Sequence, residues 1–466
     1  MAGKPSDVVR EAAAKYRLST RGAVNFTEEN FWAPIEKALD NPWTPDNPDG
    51  TIVMRLAENS LMHHDVAEYI KEQLNVDRIQ HLTYGQGPRG STRLRKALAS
   101  FFNTDFGARR PVSYEEILIM SGATSIIDAL AWSICNEGDG ILIPQPFYTG
   151  YQIDIKQRAR GELVPVPFEG VEGYASLDDV FAADVLRRAL ERQLALAKER
   201  GLRVAAVLLT NPHNPLGRCY PEETIVEAAR FCATNDLHLI SNEIYAKSVF
   251  DAKRSPPLPA FTSILSLDLE HVIDANLVHV VYGASKDFCA NGLRLGVLQT
   301  RNVGVLESAA RLGPFSWTPY IIQEIWARML EDESFRSKFF EKNYRLIEES
   351  YAFTTKFLGQ HGIPYYRGSN AGSFLWIDLR QYILGGADIR LLKRGGGASP
   401  FEEREEILDG ALLQHGVSLS RGSIFFTEEL GWFRLTFTLP KQELEQGLHR
   451  LVSALADIRD RAWECK

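Results

Sequence analysis

The chain has 466 residues, 45% of them hydrophobic and 24% charged, with 52 Lys+Arg against 60 Asp+Glu for a net charge of −8 at pH 7. That is the composition of a folded globular protein with two or three folding units, not of a disordered or fibrous chain. The acidic balance gives no electrostatic footing for nucleic acid or an anionic membrane surface, and no run approaches the roughly 20 apolar residues of a membrane span.

Residues 1–50 are polar and broken by Pro34, Pro42, Pro45 and Pro48, which reads as an N-terminal arm with one short helix around residues 29–39. The opening residues lack the apolar core of a secretory signal, so a cytoplasmic location is the default expectation. From about residue 66 helix and strand signals alternate. DVAEYIKEQL, STRLRKALASFF and the charged VLRRALERQLALAKER at 185–200 have helical apolar spacing. ILIM, GILIP, VAAVLLT, HLIS, LVHVVYG and GVLQT are short apolar runs of strand length. Nearly continuous apolar strands separated by helices predict an α/β fold with a mostly parallel sheet covered on both faces.

Near residue 314 the pattern changes to long helices, IIQEIWARMLED and FRSKFFEKNYRLIEESYAFTTKFL. Three strand-like runs follow, AGSFLWIDL, VSLSRGSIF and WFRLTFTLP, with the Gly-rich GGADIRLLKRGGGASP between the first two. The expected organisation is an arm and part of a small domain over 1–65, a large domain over 66–313 and a smaller α+β C-terminal domain over 314–466. Five widely spaced cysteines, at 135, 219, 232, 289 and 465, form no C-x-x-C pair and indicate neither a disulfide scaffold nor a metal cluster.

Two segments carry candidate chemistry. In ILIMSGATSIIDALAWSI the small residues Ser121, Gly122, Ala123 and Thr124 sit at a strand-to-helix junction, where helix N–H groups favour a phosphate. Taken alone, the tetrapeptide reads equally as a tight turn capped by Thr124 or Ser125. In VVYGASKDFCANGLRLGVLQ, Lys286 follows an apolar strand and Arg294 lies eight positions later. Such a lysine can bond a carbonyl group covalently when its surroundings favour the neutral amine, while Arg294 and Ser285 hold a phosphate. The competing reading is a surface lysine and a salt-bridged arginine.

The segments SGAT, PQPFY, TNPHNPLG, SNEIY, GASKDF…NGLRLG and GWFRLTF occur in this order. As an ordered set they resemble the fold-type I pyridoxal 5′-phosphate (PLP) enzymes of the aminotransferase class I/II family, from about residue 50 to the C-terminus. NPDGTIVMRLAENSL at 47–61, SNAGSFLWIDLR at 369–380 and SRGSIFFTEELGWFRLTF at 420–437 look like the 1-aminocyclopropane-1-carboxylate (ACC) synthase branch.

The resemblance implies a seven-stranded-type sheet and assigns roles by motif. Lys286 would anchor PLP and move protons at the substrate Cα. Ala123, Thr124, Ser285 and Arg294 would bind the cofactor phosphate, with Tyr84 reaching it from the neighbouring subunit of a homodimer. Tyr148 would cover the ring, Asn214 and Tyr245 would hydrogen-bond its phenolic oxygen, Arg434 would clamp the substrate carboxylate, and Glu58 would be an active-site carboxylate. The activity implied is a PLP-dependent lyase on a small sulfur-bearing α-amino acid: ACC-synthase-like elimination from S-adenosylmethionine, or C–S cleavage of a cysteine conjugate. An aminotransferase and a non-catalytic PLP-binding protein are the alternatives.

Two positions depart from the pattern. Where the family motif reads Asp-Glu-Ile-Tyr, this chain has Asn242-Glu243-Ile244-Tyr245. The family aspartate pairs with the protonated pyridine nitrogen, and an asparagine offers no such charge. The arm, LSTRGAVNFTEENFWAPIEKALDNPW, replaces the short aromatic-rich opening of plant-type ACC synthases.

Overall fold

The computed structural model describes residues 6–28, 30, 32–250, 257–385, 392–393 and 400–459. Its strands are β1 (Ile52–Val53), β2 (Ile117–Met120), β3 (Gly140–Pro144), β4 (Glu162–Val166), β5 (Val204–Thr210), β6 (His238–Asn242), β7 (Val278–Gly283), β8 (Gly296–Thr300), β9 (Phe374–Asp378), β10 (Val417–Ser418), β11 (Ser420–Arg421) and β12 (Trp432–Thr436).

Seven of them form one sheet in the order β2-β8-β7-β6-β5-β3-β4, parallel except for β8, which runs antiparallel to both neighbours. β2, β3, β5 and β8 are buried along their whole length, as two-sided coverage by helices requires. One face packs Phe101, Phe102, Tyr282, Phe288 and Trp326; the other packs Ile126, Leu130, Ile143, Leu208 and Leu298. Because β5, β6 and β7 are parallel, their C-terminal ends share one edge, with Thr210 paired to Asn242 and Asn242 to Val281. Open parallel sheets bind ligands at that edge.

A second sheet, β11-β12-β9, is antiparallel, and β1 pairs with β10 in parallel. Its core gathers Ile52, Met54, Leu375, Ile377, Leu435 and Leu448. The helix Glu333–Gln360 gives Phe339 and Phe340 to the large-sheet core and Ile347 and Leu358 to this one, so a single helix spans both.

Three details differ from the sequence reading. The arm holds three helices, Asp7–Tyr16, Thr20–Thr27 and Ala33–Leu39, rather than one. Ser6 and Ser19 cap the first two, and Val9, Ala12 and Ala23 pack them together, a contact too small to leave an apolar stripe. β4 went unread because Glu162 and Pro165 interrupt its apolar run; at the sheet edge the missing N–H of a proline is tolerated. VSLSRGSIF is two short strands followed by the 3₁₀ turn Gly422–Phe425. The Gly-rich stretch lies largely outside the described residues. Among those described, no helix is long and apolar enough to cross a membrane.

Candidate active site

A cleft of about 1610 Å³ opens at the C-terminal edge of the large sheet, walled on the far side by the β1–Glu58 segment, the Gly422–Phe425 turn and β12. Its chemistry divides into an anion cradle, a lysine and a buried arginine.

The cradle forms where β2 ends and the helix Gly122–Ile134 begins. Ser121, in the capping position, makes no side-chain cap, so the first-turn N–H groups are open to an anion. Gly122 has φ +85°, and a Cβ there would strike the Arg294 guanidinium. Its absence lets the arginine lie against the helix N-terminus. Arg294 itself adopts a left-handed backbone, φ 54°, and its Nη1 donates to the Asn291 carbonyl at 2.9 Å. Ala123, Thr124 and Ser285 line the same end of the cleft. A helix N-terminus, a planar fork and a hydroxyl thus suit a phosphate-bearing group.

Lys286 lies three residues past β7, and its Nζ donates to the Ala57 carbonyl at 2.7 Å. Burial and the Arg434 charge favour the neutral amine against the opposing pull of Glu58, and bring the lysine pKa down to about 8. The loop bearing Ala57 and Glu58 is fixed by Thr436, whose hydroxyl donates to the Leu56 carbonyl at 2.7 Å, and by Thr438, whose hydroxyl donates to the Glu58 carbonyl at 2.7 Å. The Glu58 carboxylate accepts from Asn291 Nδ2.

Arg434, on β12, is only 4% exposed. Its Nη1 donates to Asn214 Oδ1 at 3.0 Å and its Nη2 to the Arg55 carbonyl at 2.7 Å. The Phe374 and Phe425 ring centroids lie 5.0 and 4.8 Å from the guanidinium carbon. Its Nε is buried with no partner, and among the described residues no carboxylate pairs with it. Burial accordingly depresses its pKa. Ring contacts offset part of the cost of a buried, uncompensated cation; an incoming anion would offset the rest.

Asn242 and Tyr245 are buried, Tyr245 edge-on to Phe374 at 5.5 Å. Tyr148 stands edge-on to Tyr151 at 5.4 Å, and burial pushes its phenol up to about 12. The cleft therefore brings together Glu58, Ala123, Thr124, Tyr148, Asn214, Asn242, Tyr245, Ser285, Lys286, Arg294 and Arg434. Tyr84 stands apart, 83% exposed and stacked on Trp317 at 5.7 Å.

The sequence reading missed Tyr151, Asn291, Phe425 and Arg55 on the cleft wall. Tyr151 had a signal, lying three residues after Tyr148 at the start of a helix; Phe425 had none beyond its apolar character. The arm also contributes, with Trp32, Ile35 and Leu39 lining the cleft.

The sequence matches the family Aminotransferase class I and II over residues 51–451. The chain belongs to this family. It is 32% identical to 1-aminocyclopropane-1-carboxylate synthase 1 of Cucurbita pepo, over 91% of this chain and 82% of that protein. It is equally 32% identical to a Mus musculus relative named probable inactive 1-aminocyclopropane-1-carboxylate synthase-like protein 2, over 96% of this chain and 73% of that one. Among solved structures, an aspartate aminotransferase from Thermus thermophilus with maleate aligns with a TM-score of 0.69 at 20% identity, covering 94% of this chain and 99% of the other. Those family members share the fold, and the ACC-synthase-like branch is the one the sequence resembles.

Proposed function

We propose that the chain is a PLP-dependent lyase acting on a sulfur-bearing α-amino acid. The observation that carries the cofactor reading is Lys286, with its lowered pKa, sharing one cleft with an open anion cradle and with Arg434, which pairs with no carboxylate among the described residues; the likeness to 1-aminocyclopropane-1-carboxylate synthases favours the lyase. The residues present fit PLP: the helix N-terminus, Ser285 and Arg294 would hold its phosphate, Lys286 its carbonyl carbon, Tyr148 its ring face, and Asn214 and Tyr245 its phenolic oxygen. When bound, PLP supplies an electron-withdrawing ring that stabilises negative charge at the substrate Cα.

The protein's own part follows from position. Arg434 would clamp the substrate carboxylate with the Nε–Nη side of its fork, the phenylalanine rings holding the guanidinium plane. Lys286, as a free amine, would take the Cα proton. Glu58, braced by Asn291 and sharing the cleft with Lys286, would offer a carboxylate to the substrate. With S-adenosylmethionine, Cα attack on Cγ expels methylthioadenosine and leaves ACC. With a cysteine conjugate, loss of the β-sulfur gives a thiol and, after hydrolysis, pyruvate and ammonia.

The exposed Ile79, Leu82, Tyr84 and Phe315 support a homodimer in which Tyr84 reaches the partner's cradle. A second reading, a PLP-binding protein without turnover, is favoured by Asn242 and by the relative named as probably inactive. Mass spectrometry of products from the PLP-loaded protein with each substrate separates these outcomes. ACC with methylthioadenosine, or pyruvate with free thiol, supports the lyase; a 2-oxoacid product with the cofactor left in its amino form would make it an aminotransferase, and no product from any amino acid would favour the non-catalytic reading.

A further inference from the structure

Asn242 closes β6 at the cleft, and the direction of its amide is fixed by a neighbour that can only donate. Oδ1 accepts from the Ile244 N–H at 3.3 Å, which turns Nδ2 toward the Tyr151 hydroxyl, its acceptor at 2.9 Å. That hydroxyl shares a 2.6 Å hydrogen bond with Thr210 Oγ1, and Thr210 is the residue paired with Asn242 between β5 and β6. Amide, phenol and alcohol are all uncharged, since burial holds the Tyr151 phenol well above its ordinary range.

Neither neighbouring acid hydrogen-bonds these three groups among the described residues. Glu243 turns away, accepting from Ser241 Oγ at 2.9 Å, Ser263 Oγ at 2.6 Å and the Ile264 N–H at 2.9 Å. Asp154, beside Tyr148 and Tyr151, is buried, and that burial raises its pKa above the ordinary aspartate value. The cationic Lys286, Arg294 and Arg434 hydrogen-bond elsewhere, to the carbonyls of Ala57, Asn291 and Arg55 and to the Asn214 amide.

We propose that Asn242, with Tyr151 as its positioning residue, is a neutral hydrogen-bond partner for the pyridine nitrogen of the cofactor, so that this nitrogen stays unprotonated at neutral pH. The proposal rests on the PLP reading above. In pyridoxal phosphate the nitrogen lies across the ring from the carbonyl carbon, hence away from Lys286, while the phosphate arm adjoins that carbon. With those two groups at Lys286 and at the Gly122 cradle, the polar wall left for the nitrogen is Thr210–Tyr151–Asn242. An uncharged ring withdraws less charge from Cα. It favours substrates whose leaving group departs with its electron pair as the proton is lost, which fits a sulfur leaving group better than transfer of the amino group to the cofactor.

The test is ¹⁵N NMR of the full chain loaded with PLP labelled at the ring nitrogen. The wild-type resonance is expected at the neutral pyridine position across neutral pH, and Asn242→Asp is expected to move it to the pyridinium position. Tyr151→Phe should keep it at the pyridine position but diminish the circular dichroism of the bound cofactor, because the amide loses its acceptor. A pyridinium signal in the wild type, or an Asn242→Asp signal that does not move, overturns the role of Asn242. Unchanged dichroism in Tyr151→Phe overturns the positioning role of Tyr151. A chain that binds no cofactor overturns the PLP reading as well, whereas bound cofactor with a wild-type pyridinium signal overturns this proposal alone.

Discussion

Arg55 and Arg434 occupy adjoining parts of the cleft wall, linked by the Arg55 carbonyl that accepts from Arg434 Nη2, and both are buried. Arg55 faces Asp409, with Nη2 and Oδ2 3.4 Å apart, and its Nε donates to the Leu419 carbonyl at 3.1 Å. Burial lowers the Arg55 pKa and raises that of Asp409, and each charge opposes the other's shift. Arg434 instead has an amide oxygen, a backbone carbonyl, two aromatic rings and an unpartnered Nε. Residue type and burial are the same, and the difference is that only the Arg55 charge is balanced by a carboxylate among the described residues; the proposed ligand-binding role of Arg434 rests on that difference.

The largest effect is expected outside that pair, at Lys286, whose pKa the Arg434 charge helps to lower. Lys286→Ala should lower kcat by about 10³-fold or more, the scale of a lost proton-transfer group, and remove the visible absorbance of lysine-bound cofactor. Retention of the full band would break the comparison, because no anchor would then face Arg434.

The arginines themselves should respond in opposite ways. Arg434→Leu should cut kcat/KM about 100-fold, or about 3 kcal/mol of charge-assisted hydrogen bonding, while urea unfolding shows stability unchanged or raised. Arg55→Leu strands Asp409 and should cost about 3 kcal/mol of stability in the same titration, with Asp409→Leu in the double variant restoring part of it. Equal losses of stability in both single variants would erase the distinction.

A pH series sharpens it further. Burial and the Arg434 charge depress the Lys286 pKa to about 8, so the reactive amine fraction grows with rising pH and reaches half near that point. The rate at which cofactor-free protein captures PLP should therefore climb and level off above about pH 8, rather than near the ordinary lysine value of about 10.4. Arg434→Leu removes one of the charges lowering that pKa and should move the plateau upward.

The effect that is smallest at neutral pH concerns a buried polar group satisfied without any charge. His279 Nε2 lies 2.9 Å from His238 Nδ1, and His279 Nδ1 lies 2.8 Å from Thr300 Oγ1; burial lowers the His279 pKa to about 3. Below about pH 6.5 the unfolded chain takes up a proton that the folded chain refuses, so stability falls with falling pH, by up to about 1.4 kcal/mol per unit for this residue. His279→Gln should flatten that part of a stability–pH curve.

Much of this was legible in the sequence, for identifiable reasons. Strands buried on both faces leave unbroken apolar runs, so β2, β3, β5, β6, β7 and β8 could be read directly, while β4 with its proline and the serine-capped helices of the arm could not. Lys286, Arg294, Asn214 and Arg434 could be proposed because their motifs keep a fixed order along the chain, and all four line one cleft. The same order could not reveal that Arg434 has no counter-ion among the described residues or that Asn242 bonds Tyr151, since both depend on residues far apart in sequence. The motif points Tyr84 at the phosphate cradle, yet the residue is exposed and apart from the cleft, so its proposed role depends on a second subunit.

The most direct test of the account is to load the full chain with PLP, reduce it with borohydride and map the phosphopyridoxyl group by peptide mass spectrometry. The account predicts modification at Lys286, diminished by phosphate competing for the Gly122–Arg294 cradle. Modification at another lysine, or none at all, would contradict it.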